Sequence, residues 1–149
     1  MDRFRQILYD LGKEIGIDLY PDSNGICQLN YKDKLHIQIH YEEGKERLMI
    51  ATFVCECPPG KYREKLLKEA LKSNGEYPRI GTLAYSERNN QLTLFEYLYA
   101  AGLRGETLFN TLKKFVEKTF LWKDAVETGK PLPTSGKTTK GNSMFGLEP

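Results

Sequence analysis

Residues 35–57 read LHIQIHYEEGKERLMIATFVCEC, two strand-like runs joined by a short polar connection. Leu35–Tyr41 alternates apolar and polar side chains, and Arg47–Cys57 is rich in β-branched and aromatic residues, which is typical of strands. The pattern predicts a β-hairpin. A two-residue loop at 43–44 would set three cross-strand pairs, which are Ile39 with Leu48, Ile37 with Ile50 and Leu35 with Thr52.

The two faces of this predicted hairpin differ in polarity. One face is apolar and comprises Leu35, Ile37, Ile39, Tyr41, Leu48, Ile50 and Val54. The other face comprises His36, Gln38 and His40 on the first strand and Met49, Ala51, Phe53 and Cys55 on the second. This second face is unusually apolar for a solvated surface. Two interpretations stay open: a helix covers it, or an extended peptide docks on it and gains main-chain hydrogen bonds at a sheet edge.

Working outward from the hairpin, the pattern predicts helices over residues 2–15, 61–73 and 106–127, and further strands at 26–31, 79–86 and 91–99. The apolar residues of each predicted helix follow a 3.6-residue period. The order α-β-β-β-α-β-β-α predicts an α+β domain over residues 1–128, built on a twisted antiparallel sheet. Residues 129–149 are rich in Gly, Pro, Ser, Thr and Lys, so we expect them to form a flexible basic tail.

Charge and composition exclude several classes of partner. The 149 residues carry a formal net charge of +2, and the whole excess lies in residues 129–149. A neutral body lacks the basic stripe that phosphate contacts need, so nucleic acid is not an expected partner. No apolar run approaches the length of a membrane span, and the first residues show no secretory signal. Three cysteines without a disulfide framework suggest reduced thiols in a cytoplasm.

Candidate reactive groups do not assemble into a catalytic or metal site in this pattern. His36 and His40 lie four strand positions apart, about 13 Å, whereas zinc needs all its ligands within about 2.3 Å of one ion. Cys27, Cys55 and Cys57 lie on predicted strands, with no helix N-terminus to lower a thiol pKa. The run 134–139 resembles the end of a phosphate-binding loop, but Pro131 stands where that loop needs glycine. We therefore expect no catalytic residue, no metal and no cofactor.

Several segments, in order and spacing, resemble the CesT-type (Tir chaperone) family of type III secretion chaperones. They are Leu11–Ile17, Gly25–Leu29, Leu66-Leu67 with Asn74, Leu92–Leu98, and the long last helix ending near Trp122. The resemblance covers residues 4–127. One departure is the charge: members are typically acidic, whereas this chain has a neutral body and an isoelectric point near 8.3.

The resemblance implies a cytoplasmic bacterial homodimer with a role in virulence, without enzyme activity or use of ATP. It implies that the N-terminal segment of one or more secreted effectors binds in extended form, and that the secretion ATPase or sorting complex is a further partner. The implied effector-binding residues are Ile15, Ile17, Leu29, Met49, Ala51 and Phe53. The implied dimer-interface residues are Leu67, Leu71, Ile80 and Leu83.

Two alternatives to a secretion chaperone stay open at this point. The first is a related non-catalytic module that binds or regulates proteins outside secretion. The second is a small enzyme, which would be recognised by a concave pocket with convergent polar groups.

Overall fold

The predicted order of helices and strands is confirmed in the computed structural model, which describes residues 2–134. The elements are α1 (Arg3–Ile15), β1 (Ile26–Tyr31), β2 (Leu35–Glu42), β3 (Arg47–Glu56), α2 (Lys61–Asn74), β4 (Thr82–Ser86), β5 (Gln91–Tyr99) and α3 (Gly105–Thr128). The strands form one five-stranded sheet in the order β1-β2-β3-β5-β4. Among residues 2–134, none of the helices combines the length and apolar character that a membrane crossing requires.

The chain divides into two compact units. The first comprises residues up to Thr52 together with Phe95–Val116, and the second comprises Phe53–Leu94 and the chain from Glu117 onward. Strands β3 and β5 and helix α3 each contribute residues to both units. The predicted single domain over residues 1–128 stays a prediction.

The predicted register of the β2–β3 hairpin is wrong by two residues. Ile39 pairs with Ile50 and Ile37 with Thr52, because the connection spans residues 43–46 instead of 43–44. A 3-10 turn at Glu43–Lys45 is closed by Glu46, whose φ of 49° lies in the left-handed region. A two-residue shift preserves side-chain parity. The six aliphatic residues of the predicted apolar face are therefore all buried, and they are Leu35, Ile37, Ile39, Leu48, Ile50 and Val54.

In the first unit, α1 buries its apolar side toward this face of the sheet. Asp2 caps the helix by accepting a hydrogen bond from the Arg5 backbone N–H at 2.7 Å. The buried residues of α1 include Phe4, Ile7, Leu8 and Leu11. The Phe4 ring stacks on Tyr41 of β2 with ring centroids 6.0 Å apart. Burial of each such side chain contributes about 1.5–3 kcal/mol, so the orientation of α1 is strongly determined.

In the second unit, Asn74 joins the end of α2 to β4. Its side-chain oxygen accepts from the Leu83 N–H at 2.8 Å, and its amide donates to the Leu83 carbonyl at 2.9 Å. The predicted strand at 79–86 begins only at Thr82, because Gly81 has a φ of 70° that a strand does not accommodate. Asn74 thus supplies the pairing that a neighbouring strand would otherwise give to Leu83.

The packed chain extends past the predicted boundary at Thr128. Gly129, with φ of 72°, follows α3, and Leu132 is buried at 2% exposure. The Thr134 hydroxyl donates to the Glu69 carboxylate on α2 at 3.1 Å. Residues 129–134 therefore belong to the packed second unit, since a buried leucine anchors them. The rest of the predicted tail, residues 135–149, lies outside the described residues.

We expect Asn74→Ala to lower the free energy of unfolding by about 1–3 kcal/mol, because it leaves the two main-chain groups of Leu83 without these partners. Urea unfolding followed by circular dichroism measures the change. Asn89→Ala is the matched control, since the Asn89 amide contacts an exposed serine hydroxyl at 3.5 Å. Equal stability losses in the two variants would contradict the role assigned to Asn74.

Candidate functional site

A groove of about 580 Å³ runs along α1 and the chain that follows it, entirely within the first unit. We refer to it as the α1 groove. Its lining residues are Arg5, Tyr9, Gly12, Lys13, Gly16, Ile17, Asp18, Leu19 and Tyr20. The groove is partly open to solvent, so a chain segment can enter it.

One wall of the α1 groove exists because residue 12 is glycine. The N–H groups of Gly16 and Ile17 both donate to the Gly12 carbonyl, at 2.7 and 3.1 Å. A Cβ atom at position 12 would collide with the Ile17 carbonyl oxygen. The chain after α1 therefore folds back across the last helical turn, and buried Leu19 anchors it there.

The rim of the α1 groove is apolar and aromatic. Tyr9, Ile17 and Tyr20 are 49%, 53% and 67% exposed. Tyrosine combines a large apolar ring with a polar hydroxyl, so it suits a surface that is alternately hydrated and covered. The Lys13 ammonium lies over the Tyr9 ring, 4.6 Å from its centroid. These side chains can bury an apolar residue of a partner and pair with its charges.

The outer face of the sheet is the second candidate surface. Within the first unit, Met49 and Ala51 of β3 are half-buried. On the same face, the guanidinium carbon of Arg47 lies 3.7 Å from the centroid of the Tyr97 ring on β5. His40 lies opposite Met49 and Gln38 opposite Ala51, two positions away from the pairing that the predicted hairpin register implies. These pairs differ from the prediction for the same reason as the rest of the hairpin register, because the loop is longer than predicted.

The five predicted effector-binding residues that lie in the first unit do not form one patch. Ile17 lines the α1 groove, and exposed Ile15 lies at the end of α1 outside the groove lining. Leu29 pairs with Ile37, so it lies on the inner face of the sheet. Met49 and Ala51 lie on the outer face, and Phe53, in the second unit, is 52% exposed. Their assignment to effector binding stays a prediction.

The resemblance did not identify the other lining residues of the α1 groove. Arg5, Tyr9 and Lys13 follow one another at intervals of four, which places them in one row on a helix surface. That spacing could have been read from the sequence. The contribution of Leu19 and Tyr20 could not, because it depends on the chain folding back at Gly12.

The second unit exposes a separate group of apolar side chains. Leu71 on α2, Tyr77 in the following turn and Leu121 on α3 are 71%, 73% and 62% exposed. Of the predicted dimer residues, Leu71 is exposed, and Leu67 and Ile80 are half-buried. Leu83 is 3% exposed, so its side chain packs inside the protomer and is not available to a surface contact. The assignment of these four residues to a dimer interface stays a prediction.

The three cysteines are unpaired and buried. Burial raises the pKa of the Cys27 thiol to about 11 and that of the Cys55 thiol to about 12, and it also raises the pKa of Cys57. A raised pKa keeps the thiol protonated and therefore weakly nucleophilic. Within residues 2–134, no three His, Cys, Asp or Glu side chains are grouped so that they could hold a metal ion.

Comparison with known proteins identifies the family. The model of the Tir chaperone protein (CesT) family matches residues 6–123. The chain belongs to the Tir chaperone (CesT) family. This confirms the resemblance over residues 4–127 and places the chain among chaperones, a non-enzymatic class. No curated protein matches the sequence.

Solved structures of similar fold agree with this family. The HopA1–SchA chaperone–effector complex has a TM-score of 0.68 at 18% identity, covering 83% of this chain and 94% of the other. The ExsC–ExsE complex has a TM-score of 0.67 at 17% identity, covering 91% and 100%. The Yersinia pestis type III secretion chaperone SycH, in complex with a fragment of YscM2, has a TM-score of 0.64 at 16% identity, covering 78% and 96%. These likenesses confirm the α+β fold.

We expect the native thiols to react with iodoacetamide at neutral pH at least roughly a hundredfold more slowly than in the urea-unfolded chain, because burial shields them and keeps them protonated. The free energy of unfolding should also fall as the pH rises above 9.0, the ordinary pKa of a thiol. Above that pH the thiols of the unfolded chain release protons that the buried thiols of the folded chain retain. Mass spectrometry of alkylated peptides measures the rates. Fast alkylation of the native protein would contradict the burial.

Proposed function

We propose that this chain is a type III secretion chaperone that holds the N-terminal segment of a secreted effector in extended form. The observation that carries the proposal is the α1 groove, which has an apolar and aromatic rim, in a chain of a chaperone family. The fold neighbours give further support, because they include a chaperone–effector complex and the complex of ExoT with SpcS from Pseudomonas aeruginosa.

The physical basis of the role is burial of a segment that would otherwise aggregate. An extended segment buries apolar side chains along a groove, at about 25 cal/mol per Å² of apolar area. Ordering the segment opposes this gain, so a long contact is needed for useful affinity. The outer face of the sheet, with half-buried Met49 and Ala51, is a second surface of the first unit that such a segment could cover.

The proposed role requires no reaction at the protein. A chaperone of this kind excludes water from a bound segment and releases it at export, so neither a nucleophile nor ATP hydrolysis is assigned to this chain. We place the protein in the bacterial cytoplasm, where effectors are synthesised. The secretion ATPase or the sorting complex would then receive the loaded chaperone.

We further propose that the chain forms a homodimer through α2 and the chain leading into β4. Leu71 and Tyr77 expose apolar surface there, and Leu67 and Ile80 are half-buried beside them in sequence. Two copies would present two grooves to one long segment. Binding at the first groove then raises the effective concentration at the second.

We expect Ile17→Ser to weaken effector binding about tenfold, because it removes an apolar rim side chain from the α1 groove. The tagged wild-type chain would first be purified from its own bacterium, and a captured secreted protein would supply the N-terminal fragment for fluorescence titration. We expect Ile15→Ser to weaken binding less, since Ile15 is exposed but does not line the groove, and this result would remove Ile15 from the predicted effector-binding residues.

The titration and the capture experiment test the position of the binding site and the chaperone role separately. Equal losses at positions 15 and 17 would show that the groove is not the site. Failure of the wild-type chain to capture any secreted protein would contradict the secretion role itself.

We expect Leu71→Lys to convert a dimer of twice 17.2 kDa into a monomer, because a charge would replace the exposed leucine at the proposed interface. Light scattering after size-exclusion chromatography measures the mass. Tyr99→Lys is the control, since Tyr99 is equally exposed at 71% but lies on β5 in the first unit. A wild-type chain that is monomeric at micromolar concentration would contradict the proposed dimer.

A further inference from the structure

The α1 groove carries charged side chains in a pattern that the burial of apolar surface alone does not require. Arg5, Tyr9 and Lys13 form one row along α1, because residues four apart lie on the same side of a helix. With a rise of 1.5 Å per residue, the two cationic positions are about 12 Å apart along the helix axis. The aromatic residue therefore lies midway along the helix between the positions of the two cationic residues.

The centre of this row is built to bury an apolar side chain. Tyr9 is 49% exposed, and the folded-back chain supplies Ile17 and Tyr20 at the rim, with buried Leu19 behind them. The Lys13 ammonium lies over one face of the Tyr9 ring, 4.6 Å from its centroid. A partner side chain that enters at Tyr9 can therefore contact the apolar atoms of Tyr9, Ile17 and Tyr20, with the Lys13 charge close by.

The other charges at the α1 groove leave the positive character intact. Asp2 lies 3.6 Å from Arg5, but both side chains are more than half exposed, and exposed pairs of this kind interact weakly. Asp18 also lines the groove, next to Ile17 and beyond Lys13 in sequence. The lining therefore holds two cations and one carboxylate. Of the two cations, Arg5 is the one farther from Asp18 in sequence.

We infer that the α1 groove selects an extended segment in which an apolar residue is flanked, two positions away on each side, by Asp or Glu. This inference rests on the proposed function, which supplies the extended form of the segment. A strand rises about 3.3 Å per residue, so a separation of about 12 Å corresponds to four residues. Residues i, i+2 and i+4 of a strand point to the same side. The two carboxylates then meet Arg5 and Lys13 while the middle residue contacts Tyr9.

The test uses synthetic peptides and the full-length chain. The first peptide carries the acid-x-Leu-x-acid pattern, the second has lysine in place of both acids, the third has serine in place of leucine, and the fourth has the acids one residue closer. Fluorescence titration at low and high salt measures binding. We expect the first peptide to bind most tightly and to weaken as salt rises, because the charges are exposed.

The matched protein variants reverse charge inside and outside the groove. Arg5→Glu with Lys13→Glu should weaken binding of the acidic peptide about tenfold and shift the preference to the lysine peptide. Lys34→Glu with Lys45→Glu changes the net charge equally at exposed positions outside the groove lining, and it should leave the preference unchanged.

Failure of the recognition pattern can be distinguished from failure of the chaperone role. Equal binding of the acidic and lysine peptides, retained binding of the serine peptide, an unchanged preference in the groove variant or no binding of any peptide would overturn the inference. If the wild-type chain still captures a secreted protein in those cases, the proposed chaperone role stands and the recognition pattern alone is wrong. If it captures none, the chaperone role fails as well.

Discussion

Burial of one side of α1 toward the inner face of the sheet is the constraint on which the candidate site depends. The stacking of Phe4 on Tyr41 and the buried Ile7, Leu8 and Leu11 fix the rotation of the helix about its axis. That rotation leaves Arg5, Tyr9 and Lys13 on the other side, facing the groove. Gly12 then allows the following chain to return across the helix. A groove of this kind needs both a helix whose rotation about its axis is fixed and a position without a side chain.

Prediction from the sequence succeeded where local alternation decides the structure. The inner face of the β2–β3 hairpin was identified correctly because side-chain parity depends on the strand alone. The register failed because it depends on the loop, where Glu46 adopts a left-handed conformation that a non-glycine residue rarely shows. The burial of Leu132 was not predicted, for a related reason. Whether a leucine is exposed depends on contacts distant in the chain, which single-sequence patterns do not report.

The candidate site was predictable in part. The resemblance pointed to the end of α1 and identified Ile17, while the tyrosines and cations of the α1 groove were missed. Family patterns of this kind record apolar spacing, since that spacing makes the fold. Charged and aromatic rim residues contribute little to folding, so an apolar pattern that records the fold does not reveal them.

The contact between Thr134 and Glu69 affects how the end of this chain can be studied. Composition places the end of the ordered body at Thr128, yet Leu132 is a core residue and the Thr134 hydroxyl binds a carboxylate of α2. A protein shortened at Thr128 would lose a buried side chain and one hydrogen-bond donor to Glu69. Poor solubility of such a truncation would reflect damage to the second unit. It would carry no information about what the terminal residues recognise.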